Sequence, residues 1–296
     1  MLFVKDLSMP EGPVLLRDKS WVVVETGLDR GCVTHVSADG ETKRVIAKTG
    51  RPSGLAVDDV GVIWAAESNT PSLLRLTMDG QKVVFLTACD GEKFLFPNDL
   101  VFGPDGALYM TDLGILFSDL FPGGKLRPDY RDIRLDGRVY RIDLDTKEIK
   151  KIDSRIRFPN GIVFGPDDYL YVSETLTGMV YRYKWEDGTI VGGREDFSSV
   201  IDPRASGALT GPDGMKFGKD GNLYVTVYGQ GEIIVLGKDG EVIRRIKTEG
   251  SLPTNCAFGP AGSKKLYVTE DEFGTLEVHD VDTDGFQLYN GQRRGH

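Results

Sequence analysis

The sequence predicts an all-β fold, a six-bladed β-propeller whose four-stranded blades surround a central channel. Three observations support this prediction: one motif recurs six times, its spacing is typical of propeller blades, and no helical pattern of convincing length occurs. Each copy has a proline, a variable residue, usually a glycine or small polar residue, and then two apolar runs separated by a Gly- or Asp-rich turn. The six prolines are Pro10, Pro52, Pro97, Pro159, Pro212 and Pro253.

The spacing of the copies indicates how many strands each one contains. Successive prolines lie about 40 to 45 residues apart in three of the five intervals, and further apart after Pro97 and Pro159. A period of about 40–45 residues that is rich in short strands is typical of a four-stranded blade. Six copies therefore predict six blades. Because no feature marks a domain boundary, we expect one domain over residues 1–296.

The strands can be assigned copy by copy from the apolar runs. Asp-Gly pairs, as at Asp39-Gly40, predict tight hairpin turns. The runs of the first two copies are at 11–16, 21–25, 33–36, 54–57, 63–67, 73–76 and 83–86. Those of the third copy are at 99–102, 107–112 and, after an insertion over 113–137, 138–142. The later runs are at 162–164, 169–174, 179–183, 214–217, 222–226, 232–236, 255–258, 265–270 and 276–279.

Residues 2–7 precede the first copy and have no partner in it. We expect them to pair with the C-terminal strands, because joining both termini in one blade closes the ring and removes exposed sheet edges.

Charge and cysteine content narrow the range of partners and compartments. The net charge is −9 and no Lys/Arg run stands out, which argues against nucleic acid or an anionic membrane as a partner. No run approaches the roughly 18 apolar residues of a membrane span, and residues 1–7 lack the features of a signal peptide. Cys32, Cys89 and Cys256 are widely spaced, which fits a reducing, cytoplasmic environment.

Histidine content argues against two common catalytic arrangements. The chain has only His35, His279 and His296, too few for a multi-histidine zinc site. It also lacks a GxSxG motif, so a Ser-His-Asp triad is not expected.

The residues that follow the six prolines point to a metal site. The innermost strand of each propeller blade lines the channel, so these residues should face a common axis at one mouth. Two carboxylates and two amides with oxygen ligands suit a calcium-like ion, with coordination positions left for water and substrate. The four candidate ligands are Glu11, Asn98, Asn160 and Asp213, and Ser53 and Thr254 fill the remaining two positions. The alternative is that Pro-Asn-Gly and Pro-Asp-Gly are only turns.

The four motifs Pro-Glu-Gly, Pro-Asn-Asp, Pro-Asn-Gly and Pro-Asp-Gly, in this order, resemble those of the senescence-marker-protein/gluconolactonase/luciferin-regenerating-enzyme family. The resemblance covers essentially the whole chain and implies a six-bladed propeller with a divalent metal in its channel. By motif, it implies metal ligation by Glu11, Asn160 and Asp213, and metal or substrate binding by Asn98. The related diisopropylfluorophosphatase places Glu, Asn, Asn and Asp around its catalytic calcium in the same order.

The resemblance favours a metal-dependent lactonase that acts on a small-molecule substrate. One divalent ion would serve as Lewis acid, calcium being the first choice and Zn, Mn or Mg the alternatives. Asp213 would act as general base for the attacking water. Two other functions stay open: hydrolysis of organophosphates or esters, as in diisopropylfluorophosphatase, and a non-catalytic, calcium-stabilised binding module.

Aromatic residues beside the third motif indicate which substrate fits. Sugar-lactonase members of the family carry an arginine two residues before the equivalent of Asn98, and here that residue is Phe96. The insertion adds Phe117 and Phe121 in an apolar run. We therefore predict that these three aromatic residues and Asn98 bind substrate, in a pocket less polar than a polyol lactone requires. The insertion is either a lid over the metal mouth or a loop packed on neighbouring blades.

Overall fold

Six four-stranded antiparallel sheets are arranged around a channel, so the predicted six-bladed β-propeller is confirmed. The structure is a computed structural model that describes residues 1–202 and 209–292. His296 and the end of the domain predicted over 1–296 lie outside the described residues. No helix in the described ranges is long and apolar enough to cross a membrane.

Each blade is a meander in which the first strand lies innermost and the fourth outermost. Blade 1 has β2 (Pro10–Leu15), β3 (Trp21–Glu25), β4 (Cys32–Val36) and β5 (Lys43–Lys48). Blade 2 has β6 (Pro52–Val57), β7 (Ile63–Glu67), β8 (Ser72–Leu76) and β9 (Lys82–Leu86). Blade 3 has β12 (Pro97–Phe102), β13 (Leu108–Asp112), β14 (Gly137–Ile142) and β15 (Ile149–Ile156).

The second half of the ring repeats this order. Blade 4 has β16 (Pro159–Phe164), β17 (Tyr169–Glu174), β18 (Met179–Glu186) and β19 (Thr189–Ser199). Blade 5 has β20 (Gly211–Phe217), β21 (Leu223–Tyr228), β22 (Glu232–Leu236) and β23 (Val242–Lys247). Blade 6 has β24 (Pro253–Phe258), β25 (Lys265–Glu270) and β26 (Thr275–Asp280).

The N-terminal strand β1 (Leu2–Val4) is the fourth strand of blade 6 and closes the ring as predicted. It pairs antiparallel with β26, and Leu2 lies opposite Glu277. The first strand of the chain and its last three strands thereby form one sheet, which closes the ring of blades. Between blades 2 and 3, the short hairpin of β10 (Ala88–Cys89) and β11 (Glu92–Lys93) was not predicted.

The apolar core lies between neighbouring blades. One cluster joins Val22 and Val24 of blade 1 to Leu55, Ile63 and Leu74 of blade 2. Because the second strand of a blade is covered by a neighbouring blade on each side, β3 is buried along its whole length. The outer strand β23 is almost entirely exposed, since it has no sheet beyond it. This burial explains why the second apolar run of each copy lacks polar alternation.

Trp21 joins the two ends of the ring. Its side chain is 1% exposed, and its ring centroid lies 4.2 Å from that of Tyr267 in blade 6 and 6.4 Å from that of Phe3 in β1.

Trp21→Ala is expected to lower the free energy of unfolding by about 3–5 kcal/mol, because the substitution leaves a cavity between the first and last blades. Urea unfolding measures this loss. The control Val60→Ala, at a residue that is 79% exposed, should change it by less than about 0.5 kcal/mol; equal midpoints for the two variants would contradict the assignment.

The predicted insertion ends one residue early, because Gly137 already belongs to β14. Residues 113–136 contain a helical turn, α1 (Phe117–Leu120), followed by a 3-10 turn at Pro122–Gly124. Its apolar side chains pack in a cluster with residues from the starts of blades 3 and 4. The buried members of this insertion cluster are Phe96, Leu113, Leu120, Tyr130, Leu135, Phe158 and Leu176, and its partly buried members include Phe117 and Phe121. The insertion is therefore packed on blades 3 and 4 next to the prolines that begin their inner strands.

Candidate metal centre at the mouth of the channel

The residue after each proline lies at the start of an inner strand, where the pairing with the second strand is irregular in all six blades. In blade 4, for example, Pro159 lies opposite Glu174 and regular pairing resumes only at Ile162. A bulge of this kind redirects a side chain out of the regular alternation. The repeated proline motif thus brings six side chains to one mouth of the channel.

Glycines two residues after the proline allow the inner strands to approach one another. A Cβ atom on Gly161 would lie 2.3 Å from the carbonyl oxygen of Asp213, and one on Gly54 would lie 2.5 Å from that of Asn98. Neither distance is compatible with a side chain. The glycines therefore permit the close contact between blades that brings the ligand candidates together.

Glu11 is buried and held in one orientation. Its Oε1 accepts a hydrogen bond of 2.6 Å from Asn255 Nδ2 and one of 2.9 Å from the backbone N–H of Gly12. Its Oε2 makes no hydrogen bond within the described part of the chain. Burial, and then the charge of Asp99, raise the pKa of Glu11 to about 7. The free oxygen of a buried carboxylate is a suitable ligand for a cation.

Asp213 and Asn160 form the other side of the centre. Both are buried, and a hydrogen bond from the Asn160 side chain to Asp213 favours the carboxylate form. Burial, followed by the charge of Glu11, nevertheless raises the pKa of Asp213 well above its usual range. The two carboxylates are thus close enough to repel each other, and a divalent cation between them would relieve that repulsion.

Hydroxyl groups of the second strands hold the ligand backbones. Thr111 Oγ1 donates to the carbonyl of Asn160 at 2.7 Å, and Ser173 Oγ donates to that of Asp213 at 2.9 Å. Thr175 Oγ1 accepts from Asn160 Nδ2 at 3.3 Å and donates to the Pro212 carbonyl. The contacts with the carbonyls of Asn160, Asp213 and Pro212 each join two neighbouring blades. The sequence analysis did not predict this role, although each of these residues stands next to the acidic residue that ends a second apolar run.

The four predicted ligands occupy comparable positions, but their surroundings differ. The structure brings Glu11, Asn160 and Asp213 together through hydrogen bonds and mutual charge. Asn98 lies at the start of the inner strand of blade 3 and is half-buried. Its side chain makes no hydrogen bond within residues 1–202 and 209–292. Within those ranges, no group of three or more His, Cys, Asp or Glu side chains could hold a metal ion without other ligands. A cation here therefore depends on amide oxygens as well as on two carboxylates, a donor set that fits a hard ion.

Two further polar residues cross the channel below the ligands. Asp99 and Asn255 stand where the other four copies have glycine, and the Asn255 side chain hydrogen-bonds to both Asp99 and Glu11. They link blades 3, 6 and 1. In the sequence, these two positions are recognisable because they lack the glycine of the other four copies. The sequence analysis drew no conclusion from that difference.

The acidic residues that end the second strands support the loops before the prolines. Glu67 Oε1 accepts a hydrogen bond of 2.7 Å from the backbone N–H of Arg51. Asp112 accepts bonds of 2.8 and 2.9 Å from Leu95 and Phe96, and Glu174 accepts one from Arg157. These carboxylates position the loops that border the mouth.

The pKa of Glu11 has a consequence for the stability of the metal-free protein. The pKa of Glu11 is raised from 4.5 to about 7, so the folded protein binds the proton of this carboxyl group more tightly than the unfolded chain does. The stabilisation that results is fully present below pH 4.5 and is lost as the pH rises through about 7. We expect the urea midpoint of chelator-treated protein to fall over this range. The fall should be smaller in Glu11→Gln, which has no proton to lose there. A midpoint of the metal-free wild type that rises from pH 4.5 to 7 would contradict this reasoning.

A cavity of about 1020 Å³ lies at the other end of the channel. Its walls include Val14, Val57 and Phe217 near the ends of inner strands, and residues 284–290 of the C-terminal segment. None of the four ligand candidates lines it. The cavity reaches Asp99 and Asn255, and these two residues lie between it and the candidate metal ligands.

The chain is similar in sequence and in fold to known lactonases. A gluconolactonase from Zymomonas mobilis is 25% identical over 279 residues, which cover 88% of this chain and 76% of that protein. The lactonase Drp35 from Staphylococcus haemolyticus is 30% identical over 181 residues; the match covers 59% of this chain but only 50% of that protein. The structure of a gluconolactonase from Xanthomonas campestris, 26% identical, superimposes with a TM-score of 0.77 over 94% of this chain and 87% of that one. The model of the SMP-30/gluconolactonase/LRE-like region matches residues 9–271, and the chain therefore belongs to this family.

Proposed function

We propose that this protein is a metal-dependent lactonase whose catalytic site is the mouth that carries Glu11, Asn98, Asn160 and Asp213. The observation that carries the proposal is the convergence of two buried carboxylates and an asparagine amide at the start of the inner strands. The relatives named gluconolactonase and lactonase support the same reaction class.

Glu11, Asn160 and Asp213, with Asn98 at the more open side, would hold one divalent cation. A bound calcium-like ion would act as a Lewis acid toward the lactone carbonyl. The hydrogen bonds from Asn255 and Gly12 fix Glu11 Oε1, so only Oε2 is free for a ligand. Thr111, Ser173 and Thr175 hold the backbones on the opposite side, which keeps the donor set rigid without a ligand.

Asp213 is the residue to which we assign the general base. It is a buried carboxylate whose pKa is raised well above its usual range, first by burial and then by the charges of Glu11, Asp271 and Asp99. High proton affinity suits a group that must accept a proton from water, provided that it is ionised when substrate binds. The amide of Asn160 favours the ionised form by hydrogen bonding to the carboxylate.

A substrate panel tests this proposal. The calcium-loaded protein should hydrolyse γ- and δ-lactones, and excess chelator should abolish that hydrolysis. The panel should include a phosphotriester and a simple aryl ester as competitors. Hydrolysis of the phosphotriester without any lactone activity, or lactone hydrolysis that persists in chelator, would overturn the proposal.

A further inference from the structure

The C-terminal segment crosses the end of the channel that lies opposite the metal mouth. Residues 284–290 follow blade 6 and are held at both sides by backbone hydrogen bonds. In blade 5, the Phe286 N–H donates to the Phe217 carbonyl at 2.8 Å, and in blade 2, the Asp59 N–H donates to the Asn290 carbonyl at 2.9 Å. The segment is therefore a fixed wall at this end of the channel.

This segment covers only part of the end that it crosses. Phe164 of blade 4 is 2% exposed, and its ring centroid lies 6.1 Å from that of Tyr289 on the segment. On blades 1 and 2, by contrast, Val14, Leu15 and Val57 are only partly buried although they belong to inner strands. These three side chains line the cavity of about 1020 Å³. Apolar side chains that a fold leaves uncovered in this way are typical of a binding site.

The size and walls of the cavity suit a small molecule. Sites for such ligands have volumes of about 300–1,000 Å³, so this cavity is at the upper end of the range. Leu55, Met78 and Phe258 add to its apolar walls. The exposed residues Arg17 and Lys219 also line it, so the cavity is open to solvent at its rim. Its walls favour a ligand that is largely apolar.

Lys216 supplies hydrogen-bond donors to this cavity. It belongs to β20 of blade 5, is half-buried and lines the cavity. Its Nζ donates to the Met215 carbonyl at 3.0 Å, the one hydrogen bond that the ammonium makes within residues 1–202 and 209–292, and it forms no ion pair there. Since an ammonium has three N–H donors, two remain for an oxygen atom of a ligand.

The charges around the cavity favour an uncharged ligand. Burial raises the pKa of Asp99, and the charge of Lys216 opposes that rise, so a carboxylate already acts on the ammonium. Among the charged residues that line the cavity, three are basic and five are acidic: Arg17, Lys216 and Lys219 against Asp18, Asp58, Asp59, Asp99 and Asp284. An anion would meet this negative excess. An uncharged oxygen can accept from the ammonium without that repulsion.

We propose that this cavity is a second binding site, which takes an uncharged, largely apolar molecule with one hydroxyl or carbonyl oxygen. The oxygen accepts a hydrogen bond from Lys216 Nζ, and the apolar part lies against Val14 and Val57. Asp99 and Asn255 separate the site from the candidate metal ligands. The inference therefore goes beyond the proposed function and does not rest on it.

The test measures the binding of octanol and of octanoate to calcium-loaded protein by calorimetry. The two probes have chains of equal length, one with an uncharged and one with an anionic head. Octanol should bind, and octanoate should bind more weakly. Lys216→Met should weaken octanol binding by about tenfold or more, because it removes a hydrogen bond from a charged group. Lys247→Met, at an exposed lysine of the same blade, is the matched control and should bind octanol as wild type does.

Two further variants locate the bound octanol. Val57→Trp fills the cavity from its wall and should abolish binding, whereas Val83→Trp, the same change at an exposed residue of β9 in the same blade, should not. Asp213→Asn should bind octanol as wild type does, because Asp213 does not line the cavity. Urea midpoints show whether each variant is folded, and if Val57→Trp is not, Lys216→Met and Asp213→Asn decide.

Four outcomes would overturn the inference. Wild type that binds no octanol would exclude the site, and octanoate that binds more tightly than octanol would contradict an uncharged ligand. Octanol affinity that Lys216→Met leaves unchanged would remove the ammonium from the site. Binding that is lost in Asp213→Asn, or that persists in folded Val57→Trp, would place octanol outside this cavity. Since none of these measurements depends on lactone hydrolysis, failure of the lactonase assignment leaves the inference untouched.

Discussion

Asp213→Asn is expected to reduce lactone turnover at least about 100-fold while the protein stays folded, because one change removes both a base and a ligand charge. The amide that replaces the carboxylate is nearly isosteric, and the backbone carbonyl of residue 213 keeps its hydrogen bond from Ser173. The loss should therefore appear in kcat and not in the circular dichroism spectrum. Turnover is measured at saturating calcium, so that weaker metal binding does not hide the loss of the base.

The control for this variant is Asp187→Asn, which makes the same chemical change at an exposed residue in the hairpin turn of blade 4. It should keep wild-type turnover. Activity of Asp213→Asn within a few-fold of wild type at saturating calcium would exclude Asp213 as the general base.

Glu11→Gln is expected to weaken calcium binding at least about tenfold, since the charge of the ligand set determines its affinity for this ion. The replacement also puts an amide where Glu11 accepts bonds from Asn255 and Gly12. Only the amide oxygen can accept them, so the amide nitrogen would point to the position that Oε2 leaves for the cation. Calorimetric titration of metal-free protein with calcium measures the affinity.

Turnover of Glu11→Gln should recover largely at high calcium, in contrast to that of Asp213→Asn. The control Glu41→Gln, at an exposed residue of the turn between β4 and β5 of blade 1, should bind calcium as wild type does. An unchanged affinity of Glu11→Gln would remove Glu11 from the ligand set.

The fold and the ligand candidates could be predicted because the chain repeats itself. A proline followed by a polar residue, when it recurs at blade spacing, marks the start of every inner strand, and all six prolines are found there. Equivalent positions in a closed ring converge by symmetry. Glu11 and Asp213 therefore meet although they are distant in sequence, and no long-range contact had to be predicted separately.

Other parts of the site could not be predicted from the repeat. Arg51 lies one residue before its proline and Asp271 follows a second strand, so the two residues occupy different positions in the motif. The charge of Asp271 nevertheless acts on Arg51 more strongly than any other charge. The loop that carries Arg51 is held by a backbone hydrogen bond to Glu67, which the repeat alone does not predict. Likewise, the Arg51 Cζ lies 5.1 Å from the ring centroid of Phe96, and the sequence around Phe96 does not indicate this contact from blade 2.

The sequence alone also could not show how the insertion packs. Its apolar run was compatible with a lid or with a packed loop, because both need buried apolar side chains. In the structure Leu113, Leu120 and Tyr130 are buried against Phe158 at the start of blade 4. Phe117 remains partly exposed beneath Arg51, which connects the insertion to the mouth.

A calcium titration of metal-free protein, with bound metal and lactone hydrolysis recorded on the same samples, tests the central claim most directly. That claim is that one divalent ion, held by Glu11, Asn98, Asn160 and Asp213, is required for hydrolysis. Activity should be absent at the start, rise in proportion to bound calcium, and reach its maximum at about one ion per chain, as a single oxygen-ligand site requires. Full lactone hydrolysis by protein shown to contain no metal would contradict the claim.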